Sequence, residues 1–407
     1  MDIFLNASEI GKINSEIQIS GSKSESNRLL ILQKLFSNLE IENLSDSDDS
    51  EHMQEALAST HNLVNIGHAG TAMRFLTSYF AIQENREVIL TGSERMQNRP
   101  IRILVEALRS LGASINYVNK EGYPPLQIKG TSLTTNQVAI QGDVSSQYIS
   151  SLLLIGASLP QGLEIELLGE VTSIPYIQMT LALLNQVGIK TTFKDNRIEV
   201  FPLSDQTEKV IVVESDWSSA SYYYSIIALA EVGSEIKLSS YKKESLQGDS
   251  CLAEIYEHFG VITNYKNNSI LLQKVEQHSD ESLDLDLRNA PDIAQTIAVT
   301  CFALGVSCNL TGLHTLKIKE TDRLVALENE LTKFGAEISV TDKSLHLEKS
   351  SEFNSGVTVE TYNDHRMAMA FAPLAIKVPL SIQDANVVTK SYKSFWGDLQ
   401  SLGFKIN

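Results

Sequence analysis

Apolar and polar positions along this chain fall into two interleaved helical series. Clusters of small or polar residues open apolar stretches: GTAMRFLTSYFAI from Gly70, SSQYISSLLLIGASL from Ser145, SSASYYYSIIALA from Ser218, DIAQTIAVTCFALG from Asp292 and HRMAMAFAPLAI from His365, 73 to 75 residues apart. A shorter-spaced copy, SESNRLLILQKLF, opens at Ser24. Beyond their first few residues the later copies carry almost no charge, which predicts helices buried nearly all round. In the second series, IRILVEALRSLGA, YIQMTLALLNQVGI, CLAEIYEHFGVI, LVALENELTKFGAEI and FWGDLQSLGFKI read as helices, several with a charged outer face. Gly112, Gly188, Gly260, Gly335 and Gly403 stop them, the expected C-terminal cap, and a strand follows. Runs such as NREVILTG and GLEIELLG alternate with the period of a strand. The repeat of about 73 residues thus holds one buried helix, one half-exposed helix and several strands, and about six copies fit. An α/β fold with helices inside and sheet outside is expected.

Length and charge narrow the possibilities. A chain of 407 residues can build two or three domains. Its net charge of −17 argues against nucleic acid or an anionic membrane surface as partner, so a bound anion must meet a local positive field. No apolar run approaches the ~18 residues of a membrane span. The opening MDIFLNASEIGKINSEIQIS lacks the basic and apolar regions of a signal peptide. Cys251, Cys301 and Cys308 form no CxxC pair and no His/Cys cluster, so buried thiols of a reducing cytoplasm are expected and no metal.

Positive charge then appears where it is disfavoured. A cation in the first turn of a helix costs roughly 0.3–1 kcal/mol. Yet Lys23 and Arg28 flank the first buried helix, Arg74 is early in the second, and Arg99 precedes Pro100, a residue suited to a first helical position. Lys319 and Arg323 border a helix expected from about Thr321, Arg366 begins the last buried helix, and Lys390 lies before SYKSFWGDL. One such arginine is an ordinary surface charge. Together they suggest helix N-termini and fixed cations converging on small, multiply anionic ligands. The stretch GSKS falls short of a phosphate-binding P-loop. Asp292, after NAP at a helix start, could be no more than an N-terminal cap. Glu320, between Lys319 and Arg323, should stay ionised unless an anion binds. His365 and His68, taken singly, read as helix-start or loop hydrogen bonders.

Nine stretches in order, GSKSESNR, GHAGTAMRFL, TGSERMQNRPI, DVSSQYISSLLL, DWSSASYY, PDIAQT, KETDRL, NDHRMAMAFA and VVTKSY, closely resemble the 5-enolpyruvylshikimate-3-phosphate synthase family of enolpyruvyl transferases. The resemblance covers the whole chain. It implies an inside-out α/β architecture of two similar domains, each of three βαβαββ-like repeats, with the active site in the cleft. One domain would span 20–214, on the shikimate 3-phosphate side, and the other 1–19 with 215–407, with a hinge at crossovers near Ser20 and Asp216.

The family transfers the enolpyruvyl group of phosphoenolpyruvate to the 5-hydroxyl of shikimate 3-phosphate without cofactor or metal. By resemblance, Lys23, Ser24, Arg28, Ser145, Ser146, Gln147, Ser173, Asp292 and Lys319 would hold shikimate 3-phosphate. Lys23, Gly70, Arg99, Gln147, Arg323, Arg366 and Lys390 would hold phosphoenolpyruvate. Asp292 is the candidate base, Glu320 the candidate acid, and Lys23 assists. The expected protein is a cytoplasmic monomer with neither nucleic-acid nor membrane partner. Four positions depart from the family pattern: His68 for a usual Asn, Phe75 for Pro, Thr315 for Asn and Lys317 for Arg. The related UDP-N-acetylglucosamine enolpyruvyl transferases often carry a reactive cysteine in the loop that here reads TGSERMQNRPI and has none. An inactive anion-binding relative is disfavoured by the presence of Asp292, Glu320 and Lys23.

Overall fold

Each period of the sequence folds as strands laid over a buried helix. The computed structural model describes residues 1–143, 145–171, 174–203, 207–278, 281–350 and 352–407. The chain partitions into two units, Gly21–Val213 and Met1–Ser20 with Glu214–Asn407.

In the unit Gly21–Val213, helices Lys23–Leu35, Gly70–Ala81 and Ser146–Gly156 pack on one another. Three sheets lie outside them. One has the strand order Leu63–Asn65, Glu87–Thr91, Leu126–Lys129, Ser114–Tyr117. A second runs Thr191–Lys194, Arg197–Val200, Leu163–Leu168, Gln137–Gln141, and the third pairs Lys209–Val212 with Leu39–Glu42. Both four-stranded sheets join one parallel pair to two antiparallel ones, with Val64 opposite Leu90 and Val138 opposite Ile165 in the parallel registers. Alternation decides the faces. In Glu87–Thr91, Val88 and Leu90 are buried while Glu87 and Ile89 face outward.

The other unit repeats the scheme around helices Trp217–Leu229, Ala294–Leu304 and His365–Phe371. Its three sheets each have four strands, and the N-terminal strands Ile3–Asn6 and Asn14–Ile17 complete two of them. Every residue of Trp217–Leu229 except Ser218 is buried. Each large apolar side chain so removed from water contributes roughly 1.5–3 kcal/mol.

Helices buried on all sides must satisfy their polar groups internally. The repeat supplies the partners: Ser78 meets Ser151 at 2.6 Å, Ser221 meets Thr296 at 3.0 Å, and Thr300 donates to Ser225 at 2.8 Å. These residues stand one period apart, so equivalent positions of neighbouring repeats face each other. All five second-series glycines have positive φ, from 71° at Gly260 to 105° at Gly112. At Gly260 a Cβ would also collide with the Glu276 carbonyl oxygen, so the stop is steric as well as conformational.

Three expected boundaries shift. The Arg323–Lys333 helix begins two residues later than Thr321, because Asp322 caps it by accepting from the Val325 amide. Pro100 lies before Ile101, the N-cap of Arg102–Ser110, rather than at the first helical position; its free carbonyl is used by Tyr148 and Arg74. Lys390 ends a 3-10 turn, Ala385–Lys390, five residues before Phe395–Ser401. The three cysteines are free thiols, and among the described residues no helix is long and apolar enough to cross a membrane.

Candidate active site

In the unit Gly21–Val213, helix starts gather cations that have few anionic partners. Arg28, one turn into its helix, donates to Thr180 Oγ1 at 2.7 Å, Ser150 Oγ at 3.1 Å and the Ser24 carbonyl at 2.7 Å, and lies over the Phe75 ring. Arg74 reaches back to the Gly70 carbonyl at 3.0 Å and forward to Pro100. Among the described residues no carboxylate forms an ion pair with either. Burial brings both guanidinium groups down to about 10, with Arg99 adding to the effect on Arg74. Arg99 lies against Gly70, where any Cβ would strike its guanidinium. Gln147 Nε2 donates to Thr71 Oγ1 at 3.2 Å, which brings the N-termini of Gly70–Ala81 and Ser146–Gly156 together. Ser145 caps the second of these helices. Lys23, first in its helix, stands 3.8 Å from the buried Asp49 carboxylate. Two helix N-termini, Arg74 and Arg99 thus concentrate positive charge in one place, as an anion site would require.

The unit containing residues 214–407 is built the other way. Arg323 is 2% exposed, and three carboxylates take its nitrogens: Asp364 at 2.6 Å from Nε, Asp292 at 2.8 Å from Nη1 and Glu320 at 2.7 Å from Nη2. Lys319 Nζ adds a second cation 3.4 Å from Asp292. Arg366 approaches the other Asp292 oxygen at 3.5 Å and donates to Ser218 Oγ at 3.2 Å, whose hydroxyl in turn donates to Asp249. These carboxylates hold Arg323 and Arg366 firmly charged, although burial alone would lower both. Asp249 pays for the crowding: burial, then the nearby Asp292 charge, push its carboxyl up to about 7. Lys390 Nζ donates to the Asn363 carbonyl at 2.6 Å.

Asp292 is not a helix cap. It lies in the 3-10 turn Pro291–Ile293, and its side chain turns to Arg323, Arg366 and Lys319. Ser173 lies outside the described residues. Among those described, no group of His, Cys, Asp and Glu is arranged to hold a metal ion. Sequence reasoning missed Asp49, Asp249 and Asp364 as neighbours of the cations within their own units. Asp49 and Asp249 share a signal: each precedes a serine in the first turn of a helical segment, and each sits by a cation or the hydroxyl bound to one.

The fold is that of solved enolpyruvyl transferases. An EPSP synthase from Acinetobacter baumannii superposes with TM-score 0.82 at 18% identity, covering 100% of this chain and 99% of the other. An enolpyruvyl transferase from Streptomyces tendae gives TM-score 0.75 at 12% identity over 100% and 98%. In sequence, the chain is 45% identical to a 3-phosphoshikimate 1-carboxyvinyltransferase of Bacteroides fragilis over 97% of both chains, and 33% identical to one of Mannheimia haemolytica over 98% and 99%. Residues 54–399 match the sequence model of EPSP synthase (3-phosphoshikimate 1-carboxyvinyltransferase), and the chain belongs to that family.

Proposed function

We propose that this chain transfers the enolpyruvyl group of phosphoenolpyruvate to the 5-hydroxyl of shikimate 3-phosphate, releasing phosphate, in the shikimate pathway to aromatic amino acids. The observation that carries this is Arg323, which holds Asp292 and Glu320 on adjacent nitrogens of one guanidinium. Two carboxylates fixed together suit a reaction that takes one proton from a hydroxyl and gives another to a methylene carbon.

In the first step the 5-oxygen bonds to C2 of phosphoenolpyruvate. Asp292 accepts the hydroxyl proton and Glu320 delivers one to C3, giving a tetrahedral ketal phosphate. In the second step C3 returns its proton to Glu320, the C2–O bond to phosphate breaks, and the leaving phosphate takes up, with Lys23 assisting, the proton that Asp292 removed from the hydroxyl. Arg28, Ser24, Ser145, Ser146, Gln147, Ser173 and Lys319 are assigned to shikimate 3-phosphate, and Gly70, Arg99, Gln147, Arg323, Arg366 and Lys390 to phosphoenolpyruvate. Lys23 serves both. Fixed cations offset the charge that grows on the leaving phosphate, at no cost of reorganisation during the step. The shikimate 3-phosphate assignments fall mainly on Gly21–Val213 and the proton-transfer groups on the other unit. On this reading the chain acts as a cytoplasmic monomer.

Phosphate release is the test. It is expected only when phosphoenolpyruvate and shikimate 3-phosphate are supplied together. Turnover with UDP-N-acetylglucosamine in place of shikimate 3-phosphate, and none with it, would reassign the enzyme.

A further inference from the structure

Lys23 shares its counter-ion with a histidine. Asp49, buried in the first turn of the Asp48–Ala58 helix, sets Oδ2 3.8 Å from Lys23 Nζ and Oδ1 3.5 Å from His68 Nε2. The loop is shaped around that ring. Gly67 has φ +56°, and a Cβ there would come within 2.9 Å of His52 Nε2. The bare glycine lets His52 stand edge-on to His68, with ring centroids 5.7 Å apart and its Nδ1 3.6 Å from Glu55. Among the described residues, the charged and titratable groups near His68 include Asp49 and His52 with Glu55 from one helix, Lys23 through Asp49 from another, and Arg99, lying against Gly70 two residues on. A neutral side chain at 68 could not change the charge on this chain of contacts; an imidazole changes it near neutral pH.

We propose that His68 is a positioning residue for Lys23: protonated, it draws on the charge of Asp49 and leaves the Lys23 ammonium free to hold the phosphate of phosphoenolpyruvate. The neutral imidazole returns Asp49 to Lys23. Phosphoenolpyruvate affinity therefore falls as pH rises through the titration of His68. The inference rests on the assignment of Lys23 to phosphoenolpyruvate.

The test measures KM for phosphoenolpyruvate and kcat from about pH 5.5 to 8.5, around the ordinary histidine range, in the wild type, His68→Asn, His68→Gln and Asp49→Asn. The phosphate of the substrate titrates identically in all four, so only differences between proteins count. Between about pH 6 and 8 the wild-type KM is expected to rise about 3- to 10-fold more than in any variant, the scale of one partly screened charge. Thermal unfolding checks that each variant is folded, and the two His68 replacements guard against a fault peculiar to one. Parallel KM curves overturn the inference, as does an effect confined to kcat or to unfolding temperature. Absence of phosphate release from the wild type with both substrates would overturn the reaction itself and this inference with it; release with parallel curves overturns this inference alone.

Discussion

Two pairs of buried arginines are held in opposite ways. Arg28 and Arg74 hydrogen-bond to hydroxyls and carbonyls, while Arg323 and Arg366 are ringed by Asp292, Glu320, Asp364 and, through Ser218, Asp249. Burying a guanidinium costs several kcal/mol of hydration in either unit, by order of magnitude. In one unit neutral acceptors and, at Arg28, the nearby Glu25 charge offset only part of that cost, since burial still lowers both guanidinium groups. In the other it is offset within the chain, and the carboxylates gain fixed positions in return. On the proposed assignments, most shikimate 3-phosphate contacts fall in the first unit and the proton-transfer carboxylates Asp292 and Glu320 in the second.

The sharpest way to break the comparison is Arg323→Met. The replacement keeps the length of the side chain but strands Asp364, which is fully buried, together with Asp292 and Glu320. Removing one partner of a buried ion pair costs about 3–5 kcal/mol. Denaturant unfolding is expected to show a loss of that size, and an unchanged midpoint would mean that the carboxylates do not depend on Arg323.

Asp249 gives the comparison a pH axis. Its carboxyl rises from 3.8 to about 7 in the folded chain, through burial first and Asp292 second. A raised value means that the folded state keeps a proton which the unfolded chain gives up. The stabilisation is complete below about pH 4 and is lost as pH climbs through about 7. The wild type is therefore expected to lose about 2–4 kcal/mol through this group between pH 4 and 8. Asp249→Asn removes that slope. Unfolding free energies of the two proteins across the range give the difference directly, and curves that run parallel would show Asp249 already ionised beside Arg366.

Asp292→Asn and Glu320→Gln probe the carboxylates as proton carriers. Both amides fill the same space, so substrate binding should survive while kcat falls by ~10²-fold or more. Weaker binding with an unaltered rate per bound complex would move both residues from chemistry to substrate holding.

Much of this was legible in the sequence, for a physical reason. A helix buried on all sides must be apolar throughout, so stretches such as SSASYYYSIIALA advertise their place, and the 73-residue spacing exposes the repeat. The two-domain α/β fold and the enolpyruvyl transfer chemistry were readable through the nine motifs, and the match over residues 54–399 agrees. Charge pairing was not legible. Nothing in the string KETDRL tells that Arg323 pairs with three carboxylates, two of them 31 and 41 residues away, while among the described residues Arg28 hydrogen-bonds to neutral acceptors. Asp49 hid in the acidic run SDSDDSE, whose composition suggests only solvation. Pro100 misled because proline's preference for a first turn is a local tendency, here overruled by the demand of Tyr148 and Arg74 for its carbonyl.

Phe75 offers the finest test, because its ring lies against the Arg28 guanidinium. The Arg28 carbon lies 5.4 Å from the ring centroid, and Phe75 is itself buried in the Gly70–Ala81 helix. An aromatic face attracts a guanidinium by about 0.5–1 kcal/mol at modest desolvation, and the attraction survives when an anion joins the cation on its other side. Leucine keeps most of the packing but has no such face. Phe75→Leu is therefore expected to raise KM for shikimate 3-phosphate about 2- to 5-fold, the rate equivalent of that energy, with the phosphoenolpyruvate KM little altered. Steady-state kinetics with each substrate varied in turn separates the two. Equal rises in both constants would mean that Phe75 only fills the core, and that Arg28 is held by its hydrogen bonds to Thr180, Ser150 and the Ser24 carbonyl.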